Sequence, residues 1–343
     1  MQTILKSNLS LENFKFSFWV ISGCLTIIIL ILFFSGMGYI NTNFMDALKI
    51  ILGIDESLKG TTEWFVIHDI RLPRIIVAIL TGIALSLSGI VFQGVLLNPL
   101  ADPYTLGISS GASFGAAVAI LLGFSGLIIQ SSAFLFAILT LMIVLKLASF
   151  SGRIIPISLI LSGVIIGAFF SAGLSFSKYL AGDEIASIFF WLLGSFQAKT
   201  WTEITVLLFV TAIGAIIIYF YAEEINILSL GEKNAMAMGV NTFRIRTILL
   251  ITASLISSIT VSICGIIGFI GLIIPHLMRF LIGPDNKKLI IVSSIWGGIL
   301  ILVADNISRI VLPHEVPIGI ITALLGAPFF TIIFRTKMKN EYK

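Results

Sequence analysis

Covalent or metal-dependent chemistry needs histidines, cysteines or carboxylates at ligand or relay spacing, and this chain does not provide it. His68, His276 and His314 are scattered, without His-rich ligand spacing. Cys24 and Cys264 both fall inside apolar runs and read as packing residues, because two isolated cysteines make no metal framework. No Gly-x-x-x-x-Gly-Lys-Ser/Thr loop is present, so the chain is not expected to hydrolyse ATP, and the GxGxxG fingerprint is also missing. Pro275-His276 is the one polar break within GIIGFIGLIIPHLMRFLIG; Pro275 removes a backbone hydrogen bond, and His276 is expected to face neighbouring helices and bond a freed carbonyl. What remains is chemistry of position. Arg71 and Arg74 bracket Pro73, a Gly-dotted apolar helix follows, and it runs into the polar turn Asn98-Pro99-Leu100-Ala101-Asp102-Pro103 and then a Gly/Ser-rich helix. A basic entry, a tightly packed helix and a proline-locked turn suit moving a solute rather than transforming it.

The elements that must position these residues are set by composition. Hydrophobic residues make up 58% of the chain and charged residues 11%, against about 25% charged in soluble domains; mean hydropathy is +1.11. Apolar runs near Phe16–Ile40, Ile75–Leu97, Leu106–Leu122, Leu127–Leu147, Ile155–Leu174, Ile204–Tyr221, Ile248–Ile263, Ile266–Ile282, Leu289–Val303 and Ile318–Ile333 predict about ten spans. They are long and do not alternate, so helices rather than a β-barrel satisfy the backbone in lipid. The expected fold is therefore all-α and polytopic, one transmembrane domain over residues 1–343. The first run is too long for a cleaved signal. With ten spans both termini share a side, and roughly twice as many Lys and Arg fall there as opposite, which puts the termini in the cytoplasm. Arg71, Arg74 and Arg309 belong to the outside minority. The pI near 9.1 needs no nucleic-acid partner. The segment around Ile185–Phe196 is too short to span and is expected to lie at the outer interface; residues 222–247 form the longest cytoplasmic connection. Gly82, Ala84, Ser86, Ser88 and Gly89 predict close helix packing and, more sharply, a pathway wall in the second and third spans.

The Arg71–Gly115 block resembles the signature of the iron-siderophore, haem and cobalamin permease family of bacterial ABC importers. LSLGEKNAMAMGVN (Leu228–Asn241), CGIIGFIGLIIPHLMRFLIGPD (Cys264–Asp285), ADNISRIVLP (Ala304–Pro313), EVPIGIITALLGAPFF (Glu315–Phe330) and WLLGSF (Trp191–Phe196) are similar to further family segments. They lie in family order over nearly the whole chain, leaving about the first 65 residues unspecific.

The resemblance implies a type II ABC importer permease that pairs with a second permease subunit, as a homodimer or heterodimer, around a central path. Two ATPase subunits carrying ATP and Mg dock below, and a periplasmic or lipoprotein binding protein docks above. Arg71, Arg74 and Arg309 are implied to meet acidic side chains of that binding protein. Asn98 and Leu100 narrow the cytoplasmic mouth, with a second constriction at Pro156 and Ile157. Glu232, Ala235 and Gly239 fall in the ATPase coupling loop, about residues 222–242, which the family builds from two short helices. No cofactor or metal is expected in this chain, and the bacterial cytoplasmic membrane is its expected location. The implied cargo is a ferric siderophore; cobalamin, haem or another metal-bearing ligand is the alternative within the class. An ion-coupled secondary carrier is the alternative outside it, opposed by the scarcity of intramembrane carboxylates. A structural scaffold leaves the outside arginines unexplained.

Overall fold

Every apolar run picked out above lies on a helix of its own. The structure, a computed structural model, describes residues 2–38, 42–150, 153–310 and 315–341; Val311–Pro313 of the segment ADNISRIVLP, and His314, lie outside the described residues. The chain opens with α1 (Gln2–Gly36), α2 (Phe44–Leu52), α3 (Thr62–Phe65) and α4 (Leu72–Val95). Then come α5 (Ile108–Leu121), α6 (Leu127–Ala148), a two-residue hairpin of β1 (Ser149–Phe150) and β2 (Arg153–Ile154), and α7 (Pro156–Leu180). The second half comprises α8 (Ile185–Leu192), α9 (Trp201–Phe220), α10 (Ala222–Leu228), α11 (Glu232–Ala237), α12 (Thr242–Cys264), α13 (Ile270–Ile282), α14 (Asn286–Ile310) and α15 (Ile318–Glu341). Among the described residues seven helices are long and apolar enough to cross a membrane, and three more, Ile108–Leu121, Ile270–Ile282 and Ile318–Thr331, are apolar but shorter.

Local chemistry explains the helix ends. Pro156 sits in the first turn of α7, where a missing N–H costs nothing, whereas Pro73 follows a π-helical turn, Val66–Arg71, that runs directly into α4. Thr200 and Glu203 form a reciprocal capping box on α9, and the Asn241 side chain accepts from Arg244 N at the start of α12. Pro275 is accommodated within α13, which continues to Ile282.

The helix α4 is the hub. It packs against α9, α10, α12, α13 and α14, and most of its side chains are buried. Its small residues serve that packing: a Cβ on Gly82 would overlap the Gly297 backbone, and one on Gly89 the Gly271 backbone. The pathway-wall expectation is thereby corrected for Gly82, Ala84, Ser86, Ser88 and Gly89 of this helix, which are all buried against neighbouring helices, while Ile76, Ile79 and Ile83 stay partly exposed. In α5, by contrast, Ser109 and Ser110 stay partly exposed, and Ser110 accepts a hydrogen bond from Ser171 of α7 at 3.2 Å. Cys264 is buried beside Thr81, whereas Cys24 is exposed on α1.

Contacts between α4 and α12 fix which loops share an end. Thr81 meets Cys264 and Ser88 donates to the Ala253 carbonyl, while farther along α4 Gly94 abuts Ile225 of α10. The two helices are therefore antiparallel. Arg71 and Arg74 lie at one end of the molecule; the Asn98 turn, α10 and α11 lie at the other.

Candidate functional site

At the α4 entry three guanidinium groups gather, and each is already engaged. Arg74 holds Asp305 side-on, with Nε to Oδ2 at 2.8 Å and Nη2 to Oδ1 at 2.9 Å, and its Nη1 donates to Glu315 Oε2 at 2.9 Å. Gln197 donates to the same Glu315 oxygen. Asp305, in the segment ADNISRIVLP, thus lies on α14 as a buried counter-charge. Arg71 donates from Nη1 to the Ser35 carbonyl at 2.7 Å and to Thr42 Oγ1 at 3.2 Å. Arg309 donates from Nη2 to the carbonyls of Phe34 and Met37 at 3.2 and 2.9 Å and to Asn306 Oδ1 at 2.9 Å. Two of the three arginines therefore satisfy orphan carbonyls at the C-terminal end of α1, where positive charge also suits the helix dipole. Arg71 is 4% exposed, so this conformation does not present it to a docking protein. Glu315 is the open member. Burial by itself would push its carboxyl up, but the Gln197 hydrogen bond and the Arg74 charge outweigh that and hold it below the usual 4.5.

At the opposite end the Asn98 side chain accepts from Leu100 N at 3.0 Å and closes a tight turn. Leu97, just before it, has φ of 52°, which side-chain-bearing residues seldom adopt. No composition signal marks that strain. Leu100 and Ile157 are exposed, Ile157 at 69%, and Pro156 is half-buried. Behind the Asn98 turn the chain runs irregularly through Asp102, whose carboxylate accepts from Tyr104 N and Thr105 Oγ1 at 3.1 and 2.8 Å. It then presses Thr105–Gly107 against Gly163 and Gly167 of α7. Gly163 lies seven residues into α7, roughly 10 Å from its start. Irregular backbone at such depth must be buried in protein or line a water-filled cavity.

The segment expected to couple to an ATPase does form two short helices, α10 and α11. Of its three singled-out residues, Glu232 is half-exposed at the start of α11, and Gly239 takes φ of 83° in an exposed turn with no atom near a Cβ there. Ala235 is corrected: it is fully buried in the main hydrophobic core. A methyl at that position holds α11 to the body instead of meeting a partner. The exposed face belongs to Leu230, Met236 and Met238, the last 59% exposed. Apolar side chains in a polar loop were a readable sign of this face, which the sequence reading passed over.

Also unanticipated is Arg246, five residues into α12 and only 1% exposed. Its Nη1 donates both to Glu232 Oε2 and to the Ile154 carbonyl, each at 2.9 Å. Among the described residues its Nε and Nη2 have no partner. No group of three or more His, Cys, Asp or Glu that could hold a metal occurs among the described residues.

With this geometry in place, the comparisons with known proteins fall into line. The family model described as the FecCD transport family matches residues 25–336. The cobalamin import system permease protein BtuC of Halobacterium salinarum is 39% identical over 277 residues, covering 80% of this chain and 75% of that protein. The Fe(3+)-citrate import system permease protein YfmE of Bacillus subtilis is 36% identical over 295 residues, covering 85% and 86%. A solved structure of a metal-chelate type ABC transporter in an inward-facing conformation superposes with a TM-score of 0.82 at 32% identity, covering 92% of this chain and 98% of that one.

Proposed function

The chain belongs to the FecCD transport family and is an ABC importer permease, and from that premise we propose that it carries an iron chelate across the bacterial cytoplasmic membrane. The observation that carries the iron reading is the similarity, over most of both chains, to a permease named for ferric citrate and to a metal-chelate type transporter. The second reading is cobalamin, favoured by the relative named for its import.

In the proposed mechanism the permease does no covalent chemistry. A dimer of permease subunits encloses the path. Two ATPase subunits, holding ATP and Mg, bind the α10–α11 end through Leu230, Met236 and Met238, with Glu232 at the rim and Gly239 shaping the turn. That end faces the cytoplasm together with both termini, in keeping with the Lys and Arg bias of the connections. Closure of the ATPases shifts α10 and α11 and moves the Asn98-Leu100 turn and the Pro156-Ile157 start of α7 between open and closed mouths. A binding protein bearing acidic side chains docks at the other end. Arg71, Arg74 and Arg309 supply the attracting field, and Glu315 is the carboxylate a partner carboxylate replaces on Arg74.

The test is the cargo. Ferric citrate, ferric siderophores, haem and cobalamin are titrated against the cognate binding protein by calorimetry. The proposal expects a ferric chelate to bind most tightly; selective binding of cobalamin or haem, with ferric chelates silent, replaces the iron reading with the alternative.

A further inference from the structure

Arg246 is placed where three elements, α11, α12 and β2, meet, and its hydrogen bonding is uneven. One nitrogen, Nη1, serves both the Glu232 carboxylate of α11 and the Ile154 carbonyl of β2. The other two donor positions, Nε and Nη2, are buried and unpartnered among the described residues. A guanidinium is a planar fork that fits a carboxylate best with two parallel bonds. Here the better half of the fork is unused while a single nitrogen is shared. Leaving buried donors unmade costs free energy, so this arrangement has a competitor close by. In the competitor the guanidinium turns so that Nε and Nη2 meet Glu232 as a bidentate pair, and the same turn carries Nη1 away from the Ile154 carbonyl.

The consequence follows from chain connectivity. Ile154 lies two residues before Pro156, the first residue of α7, and pairs with Ser149 in the hairpin that closes the α6–α7 connection. Farther along α7, Gly163 and Gly167 bear directly on Thr105–Gly107, downstream of the Asn98 turn. Displacing α11 changes which nitrogen Glu232 holds, and that decides whether the start of α7 is tethered to α12. We infer that Arg246 is a positioning residue that converts movement of α11 into release or capture of the α7 start. It gives the coupling two discrete arrangements, which a physical account of transmission requires. The inference rests on the importer reading above and adds to it the element through which the ATPase signal reaches the mouth.

The experiment uses the complete transporter, permease with its ATPase and binding protein in proteoliposomes, and reads both ATP hydrolysis and uptake. Arg246→Lys keeps the charge and a bond to Glu232, but an ammonium offers no second fork position. Its hydrolysis should stay near the native rate, while substrate carried per ATP falls about ten-fold. The double variant Arg246→Gln with Glu232→Gln removes both charges together, so no unpaired buried charge threatens folding; it should show the same uncoupling. Uptake and hydrolysis falling in parallel in both variants means a merely structural arginine and overturns the inference, as does an unchanged ratio in both. Absence of ATP-driven uptake in the native transporter is a different result, since it removes the importer reading itself.

Discussion

Arg74 and Arg246, at opposite ends of the molecule, are satisfied in opposite ways. At the α4 entry, Arg74 has its Nε, Nη1 and Nη2 all matched to carboxylate oxygens of Asp305 and Glu315. At the α10–α11 end, Arg246 is more deeply buried yet uses one nitrogen of three. A saturated guanidinium locks α4, α14 and the segment before α15 in one geometry. An unsaturated one has somewhere else to go. The contrast teaches that single buried arginines in this fold serve different purposes, since Arg309 beside Arg74 also leaves its Nε unpartnered among the described residues, and that charge count alone would not separate them.

The sharpest way to break the comparison is charge reversal beside Arg246. Glu232→Arg sets a second guanidinium against Arg246, which is 1% exposed; an uncompensated buried charge costs about 3–5 kcal/mol. Thermal unfolding in detergent should show a clearly lowered midpoint together with lost uptake. Unchanged stability would mean that Glu232 and Arg246 do not form the pair described. At the opposite end, Arg74→Ala leaves Asp305, itself 3% exposed, without its partner and should cost about 3 kcal/mol, visible in the same unfolding assay.

A smaller effect isolates the partner surface. Met238→Asp alters an exposed side chain and should leave the unfolding midpoint alone while weakening association with the ATPase about ten-fold, the scale of an interface side chain worth more than 1 kcal/mol. Pull-down titration against the ATPase checks it, and equal affinity would remove Met238 from the surface. The smallest effect concerns Glu315→Gln, an exposed arm of the lock, which should change stability by less than about 1 kcal/mol. Because the Glu315 carboxyl is held below its usual 4.5, its contribution is complete above that value and is lost only as the pH falls through the lowered one. Native and Glu315→Gln proteins should therefore differ little in how stability varies between pH 6 and 8, and converge below pH 4.5.

Much of the architecture was legible because lipid imposes a blunt rule: long apolar runs become helices, and each run from Phe16–Ile40 to Ile318–Ile333 did. The short helix α8 was legible as a segment too short to span, and the paired α10 and α11 only through the family resemblance. Side-chain roles at helix ends were not. That Arg71 and Arg309 bond the end of α1 was not legible, since nothing in their neighbours reveals that α1 ends beside them with carbonyls to satisfy. Arg246 read as one more basic residue near a cytoplasmic connection. A sign was there: Thr242, Arg246, Leu249, Ala253, Ile256 and Thr260 follow helical spacing and are all buried, so Arg246 falls on the inward stripe. Ala235 misled for a related reason, as its surroundings look polar in sequence while the fold tucks its methyl into the core.

The account stands or falls on the source of energy for transport. Proteoliposomes holding the permease, its ATPase and its binding protein should take up the loaded chelate only when ATP is supplied, at a rate a protonophore does not change. Uptake that persists without the ATPase and collapses with the proton gradient would contradict it.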